Sequence, residues 1–386
     1  MQGTSMTGVA STDQQVLIEA VREYARGHLL ERDREWDRTE TSCCTELDEL
    51  YHMGLLGLRV PEEHGGLGCP TLTYAHIIRE LAYASPSVAV TVAVHNMVAE
   101  ILGRFASAPL RDEMLRTFTQ PGNLSAFAIS EPNAGSDPSG ATTRAERVAG
   151  GWRLFGSKMW VTNGITGRWF VVLARTSDGE SAKQLSMLLL DATVAGVERQ
   201  PIHGKMGIRG SETAVMALDG AFVPERHLLS QPGDGLKIAL SALDGGRIGI
   251  ASQAIGIGRA ALDLMAAYSL QREQFGRPIA DFQALQWSLA DSAAELAASQ
   301  ALVDRAAELK DAGRPFTREA SMAKLYASEA ANRIAYRAVQ SHGGYGFVHE
   351  FRVEQLYRDA RITTIYEGTS EIQRYVVARE LMRAGA

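Results

Sequence analysis

Glu367 is the side chain with the clearest capacity for chemistry. It lies in Ile365-Tyr366-Glu367-Gly368-Thr369-Ser370-Glu371-Ile372-Gln373-Arg374, on a glycine-containing turn ahead of a helix that Ser370 and Gln373 announce at capping-box spacing. A carboxylate there is either a base or a cap, and spacing alone leaves both open. Two polar stretches offer hydroxyls and small residues beside one aromatic ring: Phe127-Ala128-Ile129-Ser130-Glu131-Pro132-Asn133-Ala134-Gly135-Ser136-Asp137 and Lys158-Met159-Trp160-Val161-Thr162-Asn163-Gly164. Such sets suit a planar heteroaromatic ligand, whose ring stacks while hydroxyl and backbone groups meet its polar atoms; structural turns explain them equally well. A third set lies at helix joints: Arg272 to Ile279, Phe282-Gln283, and Gln340-Ser341-His342-Gly343-Gly344-Tyr345-Gly346. Arg272 suits a bidentate phosphate contact, and Gly343-Gly344 would let backbone approach a ligand closely. A solvated helix end and a C-cap would read the same way. No GxGxxG or GxxxxGK[ST] follows a strand, so neither a Rossmann nor a P-loop site is supported.

These residues need a sizeable frame. The chain has 386 residues, 45% hydrophobic and 22% charged, which suits two or three globular domains. A net charge of -6 and a pI near 5.9 leave no basic excess for nucleic acid, and no unbroken apolar run approaches the length that spans a bilayer, so neither partner is expected. Met1 to Ala10 lacks a basic n-region and an apolar h-region, and the first arginine is Arg22. The expectation is a cytoplasmic protein with a disordered start. Cys43, Cys44 and Cys69 form no CxxC or Cys/His cluster, so they read as packing residues and no metal site is expected.

From Ser11 to Phe127 the pattern is helical: Leu17, Val21, Tyr24 and Ala25 share one face after cap signals at Ser11, Thr12 and Asp13, and Glu46 to Met53 repeats the habit. The loop Val60 to Gly68 carries His64, read as an exposed histidine. The apolar helix Ser87 to Phe105 is interrupted by His95 and Asn96, a polar pair that lines a pocket or satisfies a neighbour. From Ala128 the texture is β: Trp152 to Phe155, Trp169 to Ala174, Leu185 to Leu190 and Ala214 to Leu218 alternate with Gly, Asp and Asn turns. This predicts a barrel or sandwich over 128–232. From 233 onward the chain is helical again, with Leu236 to Ser269, Phe282 to Ala312, Ser321 to Gln340 and Ile372 to Met382 forming a four- or five-helix bundle apolar enough to imply partner subunits.

Taken in order, these pieces resemble the acyl-CoA dehydrogenase family from about Ser11 to Met382. The resemblance implies an α+β, mainly helical fold: N-terminal helical domain, middle β-barrel, C-terminal helical bundle. It implies FAD at their junction and a homotetramer formed through the bundles. Phe127, Ile129, Ser130, Gly135 and Ser136, with Trp160 and Thr162, match the family's flavin-ring contacts, the Ser130 hydroxyl looking like the partner of the flavin N5 edge. Arg272, Phe275, Gln283, Gln340, Gly343 and Gly344 match positions that hold the pyrophosphate and adenosine, some across a subunit boundary, while Thr369 and Glu371 flank the same cofactor. Ser136, Asp244 and Arg247 match contacts to the CoA part of a substrate, joined by Tyr366 and Gly368, and Glu367 matches the catalytic base. Two positions depart from the pattern: Asn133 stands where many members carry Gly, and His342 where an apolar residue is usual.

The implied reaction is α,β-dehydrogenation of an acyl thioester to the trans-2-enoyl thioester. Glu367 takes the α-proton, flavin N5 takes the β-hydride, and an electron-transfer flavoprotein reoxidises the cofactor. A carboxylate of ordinary pKa, about 4, can do this only if burial raises it and hydrogen bonds acidify the substrate. Leu243 to Ala251 and the C-terminal motifs look most like short-chain and short branched-chain members, with an acyl pocket floored by the His95 to Val98 turn and Ile250 and suited to C4 to C6 groups. An acyl group on an acyl carrier protein, a flavin oxidase or monooxygenase on the same fold, and a non-catalytic scaffold are the alternatives. In one branch of the family the base stands just before the arginine matched by Arg247, where this chain has Gly246.

Overall fold

The structure is a computed structural model that describes residues 12–177 and 184–384; the start expected to be disordered, Met1 to Ala10, lies outside the described residues. Helix α1 (Thr12–Tyr24) runs through one π-helical stretch, Ala25–Leu29, into α2 (Leu30–Thr39). Then come α3 (Leu47–His52), α4 (Thr71–Ala84), α5 (Pro86–Phe105) and α6 (Ala108–Phe118). The α4–α5 corner is written into the sequence. Ser85 Oγ accepts the Val88 N–H at 3.1 Å, and Pro86 takes the first helical position, where its missing donor costs nothing.

Helix α5 corrects one expectation and decides between the two readings of its polar pair. It is long and apolar enough to cross a membrane by length and composition, yet most of that helix is buried in the protein. Its polar pair satisfies neighbours: His95 bonds the Phe118 carbonyl at 3.1 Å and accepts the Ser125 N–H at 3.0 Å, while Asn96 accepts the Arg59 N–H at 2.9 Å and donates to Leu55 O at 2.9 Å. His64 is likewise buried rather than exposed, since its glycine-bounded loop folds back and brings Nε2 to 3.2 Å from Asp112 of α6. Cys43 and Cys69 are buried and Cys44 half-buried, all three unpaired thiols.

The middle region is one mixed sheet of β1 (Ser125–Ala128), β2 (Arg144–Val148), β3 (Gly151–Thr162), β4 (Trp169–Arg175), β5 (Leu185–Asp191), β6 (Val197–Pro201), β7 (Thr213–Pro224) and β8 (Leu228–Leu229). Its order is β6-β7-β3-β2-β4-β5-β8, with β1 parallel to β4. The sheet curls round a single core in which Trp152 and Leu154 of β3 and Met216 of β7 meet Phe170 and Val172 of β4 and Leu188 of β5. The opposite faces of β4 and β5, through Val171, Leu173, Met187 and Leu189, pack on Val98 and Leu102 of α5 and Phe118 of α6. Feeding two cores explains why these two strands are apolar without alternation. Each such side chain contributes about 1.5–3 kcal/mol on burial. β1, β2 and β6 were not apparent in the sequence: the first is four residues long and begins at Ser125, short of the expected start at 128, and the others read RAERV and VERQP.

The C-terminal region holds α7 (Gly235–Gln271), α8 (Gln283–Asp311), α9 (Thr317–His342), α10 (Val353–Ile362) and α11 (Ser370–Ala384). Helix α7 crosses α4 so closely that a Cβ at Gly256 would lie 2.5 Å from the Arg79 carbonyl, so only glycine fits there. α10, which the sequence did not announce, ties the regions together. Arg358 forks onto Asp37 at 2.5 and 2.8 Å, Gln355 donates to Asp33 at 2.7 Å, and Asp359 accepts the Ile208 N–H at 2.5 Å.

Candidate active site

A cavity of about 1110 Å³ opens where α5, the sheet and the C-terminal helices meet. Glu367 lines it. The residue stands at φ 53° and is followed by Gly368 at φ 88°, a left-handed pair that aims the carboxylate away from the following helix. Thr369, not Ser370, caps that helix: its Oγ1 accepts the Ile372 N–H at 3.3 Å, while Ser370 Oγ is drawn off to Glu329 at 2.7 Å. Gln373 does not close a capping box either; its Nε2 donates to the carbonyls of Glu367 and Gly368 at 3.0 and 2.9 Å. The carboxylate is therefore free of capping duty. Its Oε2 is buried and has no hydrogen-bond partner among the described residues. Burial pushes its pKa up to about 7, against the pull of Arg247 and then Lys324. The Glu367 N–H makes no hydrogen bond to a described residue.

Next to it α7 presents Gly246. A Cβ there would lie 2.5 Å from Glu367 Oε2 and 3.1 Å from the Met97 sulfur, so the carboxylate occupies the space a side chain would need. The next residue, Arg247, donates to Asp244 at 2.5 Å and to Ser321 Oγ at 3.2 Å, and Asp244 accepts from Thr317 Oγ1 at 2.6 Å. Arg247 Nε is buried and has no hydrogen-bond partner among the described residues. Met97, Val94 and Ala93 of α5 and Ile250 of α7 give the cavity its apolar end. Of the turn expected to floor it, Met97 faces the cavity, whereas His95 and Asn96 are held in the core by the bonds described above.

The facing wall is built from the sheet. The β3–β7 register shifts between Lys158 and Val161, and this bulge turns Trp160 out at φ 61° with 58% of its surface exposed to the cavity. The Met159 N–H donates to Ser130 O at 2.9 Å, joining the bulge to the Phe127–Ser136 stretch. Beneath them Glu131 accepts from Lys158 Nζ at 2.8 Å, from Thr142 N–H at 2.7 Å and from Thr143 N–H at 3.0 Å. Although burial opposes ionisation, the Lys158 charge and these donors hold the Glu131 carboxyl down at about 2, while burial lowers Lys158 to about 8. Neither member of this pair was singled out in the sequence. A lysine two residues before the tryptophan of the same stretch was the available signal.

The cavity thus brings together Phe127, Ile129, Ser130, Gly135, Ser136, Trp160 and Thr162 with Asp244, Arg247, Tyr366, Glu367, Gly368 and Thr369. A separate cleft of about 500 Å³ gathers Arg272, Gln340, Gly343 and Gly344 around Tyr268, His342 and Tyr345. There the His342 ring stacks on Tyr268 at 4.1 Å, filling with an imidazole the place where the family usually has an apolar residue. Phe275, 93% exposed, Gln283 and Glu371 line neither. Among the described residues no group of His, Cys, Asp and Glu could hold a metal ion.

Comparison with known proteins follows the same three regions. Residues 11–120 match the acyl-CoA dehydrogenase N-terminal domain, 126–221 the middle domain and 233–382 the C-terminal domain. The chain is 41% identical to the mouse (Mus musculus) short-chain specific acyl-CoA dehydrogenase, over 96% of its length and 90% of the relative's. It is 38% identical to the acryloyl-CoA reductase (NADH) of Anaerotignum propionicum, over 96% and 95%. The butyryl-CoA dehydrogenase of Megasphaera elsdenii superposes with a TM-score of 0.95 at 35% identity, covering 98% of this chain and all of the other.

Proposed function

The chain belongs to the acyl-CoA dehydrogenase family of oxidoreductases, and on that premise we propose that it dehydrogenates a short-chain acyl-CoA to the trans-2-enoyl thioester, with Glu367 as the α-proton base. The observation that carries this reading is the orphaned, buried Oε2 of Glu367, with a pKa raised to about 7, in a cavity faced by a bulge-mounted tryptophan. FAD is the cofactor of this reading, and the wall fits it. Trp160 is turned outward where a planar ring can lie, and Ser130 and Thr162 bring hydroxyls to the same surface. Phe127, Ile129, Ser130, Gly135, Trp160, Thr162 and Thr369 would hold its ring end, and Arg272, Gln340, Gly343 and Gly344 its phosphates and adenosine, in a homotetramer where a neighbouring chain supplies the second set. Bound there, FAD supplies acceptance of the β-hydride.

The chain's own residues do the rest. Glu367 takes the α-proton, and burial makes its carboxylate basic enough to do so near neutral pH. The Glu367 N–H is placed to donate to the thioester carbonyl, which acidifies the α-carbon as it does so. Arg247, fixed by Asp244, and Ser136 sit on the route a pantetheine arm would take, and Met97 with Ile250 ends the space left for the acyl chain. An electron-transfer flavoprotein is the expected oxidant of the reduced enzyme.

Anaerobic mixing of the yellow holoprotein with butyryl-CoA tests this directly. Bleaching, enoyl-CoA formation and slow recovery in air are expected. Rapid recovery with peroxide would make it an oxidase, preference for an acyl-carrier-protein thioester would move the substrate to that carrier, and a colourless protein would make it a scaffold.

A further inference from the structure

Helix α9 carries a cation with no part in the reading above. Lys324 lies among Ala320, Ala323 and Ala327 on the buried side of the helix and has no exposed surface. An ammonium group in such a place is costly unless it is paired. Its Nζ donates to the Gly368 carbonyl at 2.7 Å, the carbonyl that also accepts from Gln373 at 2.9 Å. Two donors from two helices thus clamp the left-handed turn that presents Glu367, one of them charged and one neutral.

We infer that Lys324 is a positioning residue for the base, clamping the Glu367–Gly368 turn through the Gly368 carbonyl and keeping the Glu367 carboxylate ionised through its charge. This rests on Glu367 being the base. The charged and titratable groups around the pair are few: Arg247 from α7, Tyr74 from α4 and the adjacent Tyr366 face Glu367, while Glu329 and Glu371 join Glu367 and Arg247 around Lys324. Arg247 is already paired with Asp244. Among the described residues Lys324 has no ion pair within bonding distance, and Glu367 is the first of the charges that act on it. Burial lowers the lysine itself to about 7, with Glu367 the first of the groups that oppose the shift. The two groups therefore hold each other charged, and removing one changes the other. When Glu367 takes a proton the lysine loses that support, which couples the state of the base to the clamp.

Lys324→Gln and Gln373→Leu separate charge from clamp, since the first can keep a donor to Gly368 while losing the charge and the second loses a donor without changing charge. Protonation of Glu367 is followed by infrared difference spectroscopy of the carboxyl C=O band against pH, with Glu367→Gln as blank, alongside the pH profile of anaerobic bleaching by butyryl-CoA. In Lys324→Gln the midpoint is expected to rise by about one unit or more, the direction that loss of a nearby opposite charge dictates, with activity recovering at high pH. In Gln373→Leu bleaching falls at every pH and the midpoint stays put. A Lys324→Gln midpoint equal to wild type, or failure of both Lys324→Gln and Lys324→Met to fold, would reduce Lys324 to a structural residue. Wild-type protein that does not bleach at all would instead remove the proposed reaction while leaving the infrared midpoint to judge the hold of the Lys324 charge on Glu367.

Discussion

The wall of the large cavity is buttressed from beneath: Lys158, Glu131, Lys324 and Gln373 are buried and bonded to one another or to backbone, and buried Arg247 is held by the side chains of Asp244 and Ser321. Around the cleft at Arg272, by contrast, Arg272, Gln340, Gly343, Gly344 and Tyr345 are all exposed, and Phe275 lines neither this cleft nor the large cavity. A single chain completes the first and leaves the second open on one side. On the proposed reading the difference separates two tasks: chemistry needs groups fixed to fractions of an ångström, whereas holding the tail of a cofactor can be left to the proposed assembly.

Breaking the first region should have the larger effect. Glu367→Gln is expected to keep fold and flavin while slowing anaerobic bleaching by several orders of magnitude; near-normal bleaching would mean that the base is elsewhere. The companion Glu367→Gly with Gly246→Glu fills the gap beside the vacated position and should restore weak turnover with an altered chain-length preference. In the second region, Arg272→Ala should weaken flavin retention by roughly 1.5–3 kcal/mol, the worth of a charge-assisted hydrogen bond, without changing the rate per bound flavin. Equilibrium dialysis reads the first quantity and single-turnover bleaching the second. Full flavin after extended dialysis would erase the contrast between the regions.

Two smaller effects sharpen it. Met97→Ala should lengthen the preferred acyl chain, each accommodated methylene being worth about 0.8 kcal/mol, or roughly fourfold in kcat/KM; an unchanged profile would put the floor elsewhere. Asp359, buried with Asp33 and Asp37 nearby, has its pKa raised mainly by burial. Its folded form therefore holds a proton that the unfolded form releases near pH 4, and stability should decline as pH rises from there through the raised value. Asp359→Asn, which keeps an acceptor for the Ile208 N–H, should flatten that decline by about 1 kcal/mol, read from urea midpoints between pH 5 and 9.

Much of this was legible from residue types. The three regions followed from periodicity, and residue types marked the two polar stretches and Glu367 as candidates, while the roles proposed for them came from the family resemblance. What escaped has a common cause. His64, Lys324 and the Lys158–Glu131 pair are polar residues whose burial depends on segments tens to hundreds of positions away, and the edge strand β6 borrows its structure from β7 rather than from its own VERQP. Local pattern is blind to such partners. The capping-box spacing at Ser370 misled for the same reason: Glu329 from α9 claimed the serine, and the Glu367–Gly368 turn claimed Gln373.

Helix α7 is also a ruler. Arg247 and the C-cap residue Arg272 stand 25 residues apart on it, roughly 37 Å at 1.5 Å per residue, and its close crossing of α4 keeps the rod from folding. That span exceeds the reach of one dinucleotide. If Arg272 serves a cofactor tail as proposed, each rod joins the substrate site of one centre to the cofactor tail of another, so the helix's length sets the spacing between reaction centres in the proposed assembly. An insertion of one helical turn between Gly258 and Arg272 would then leave each centre intact and put its cofactor's two ends out of step.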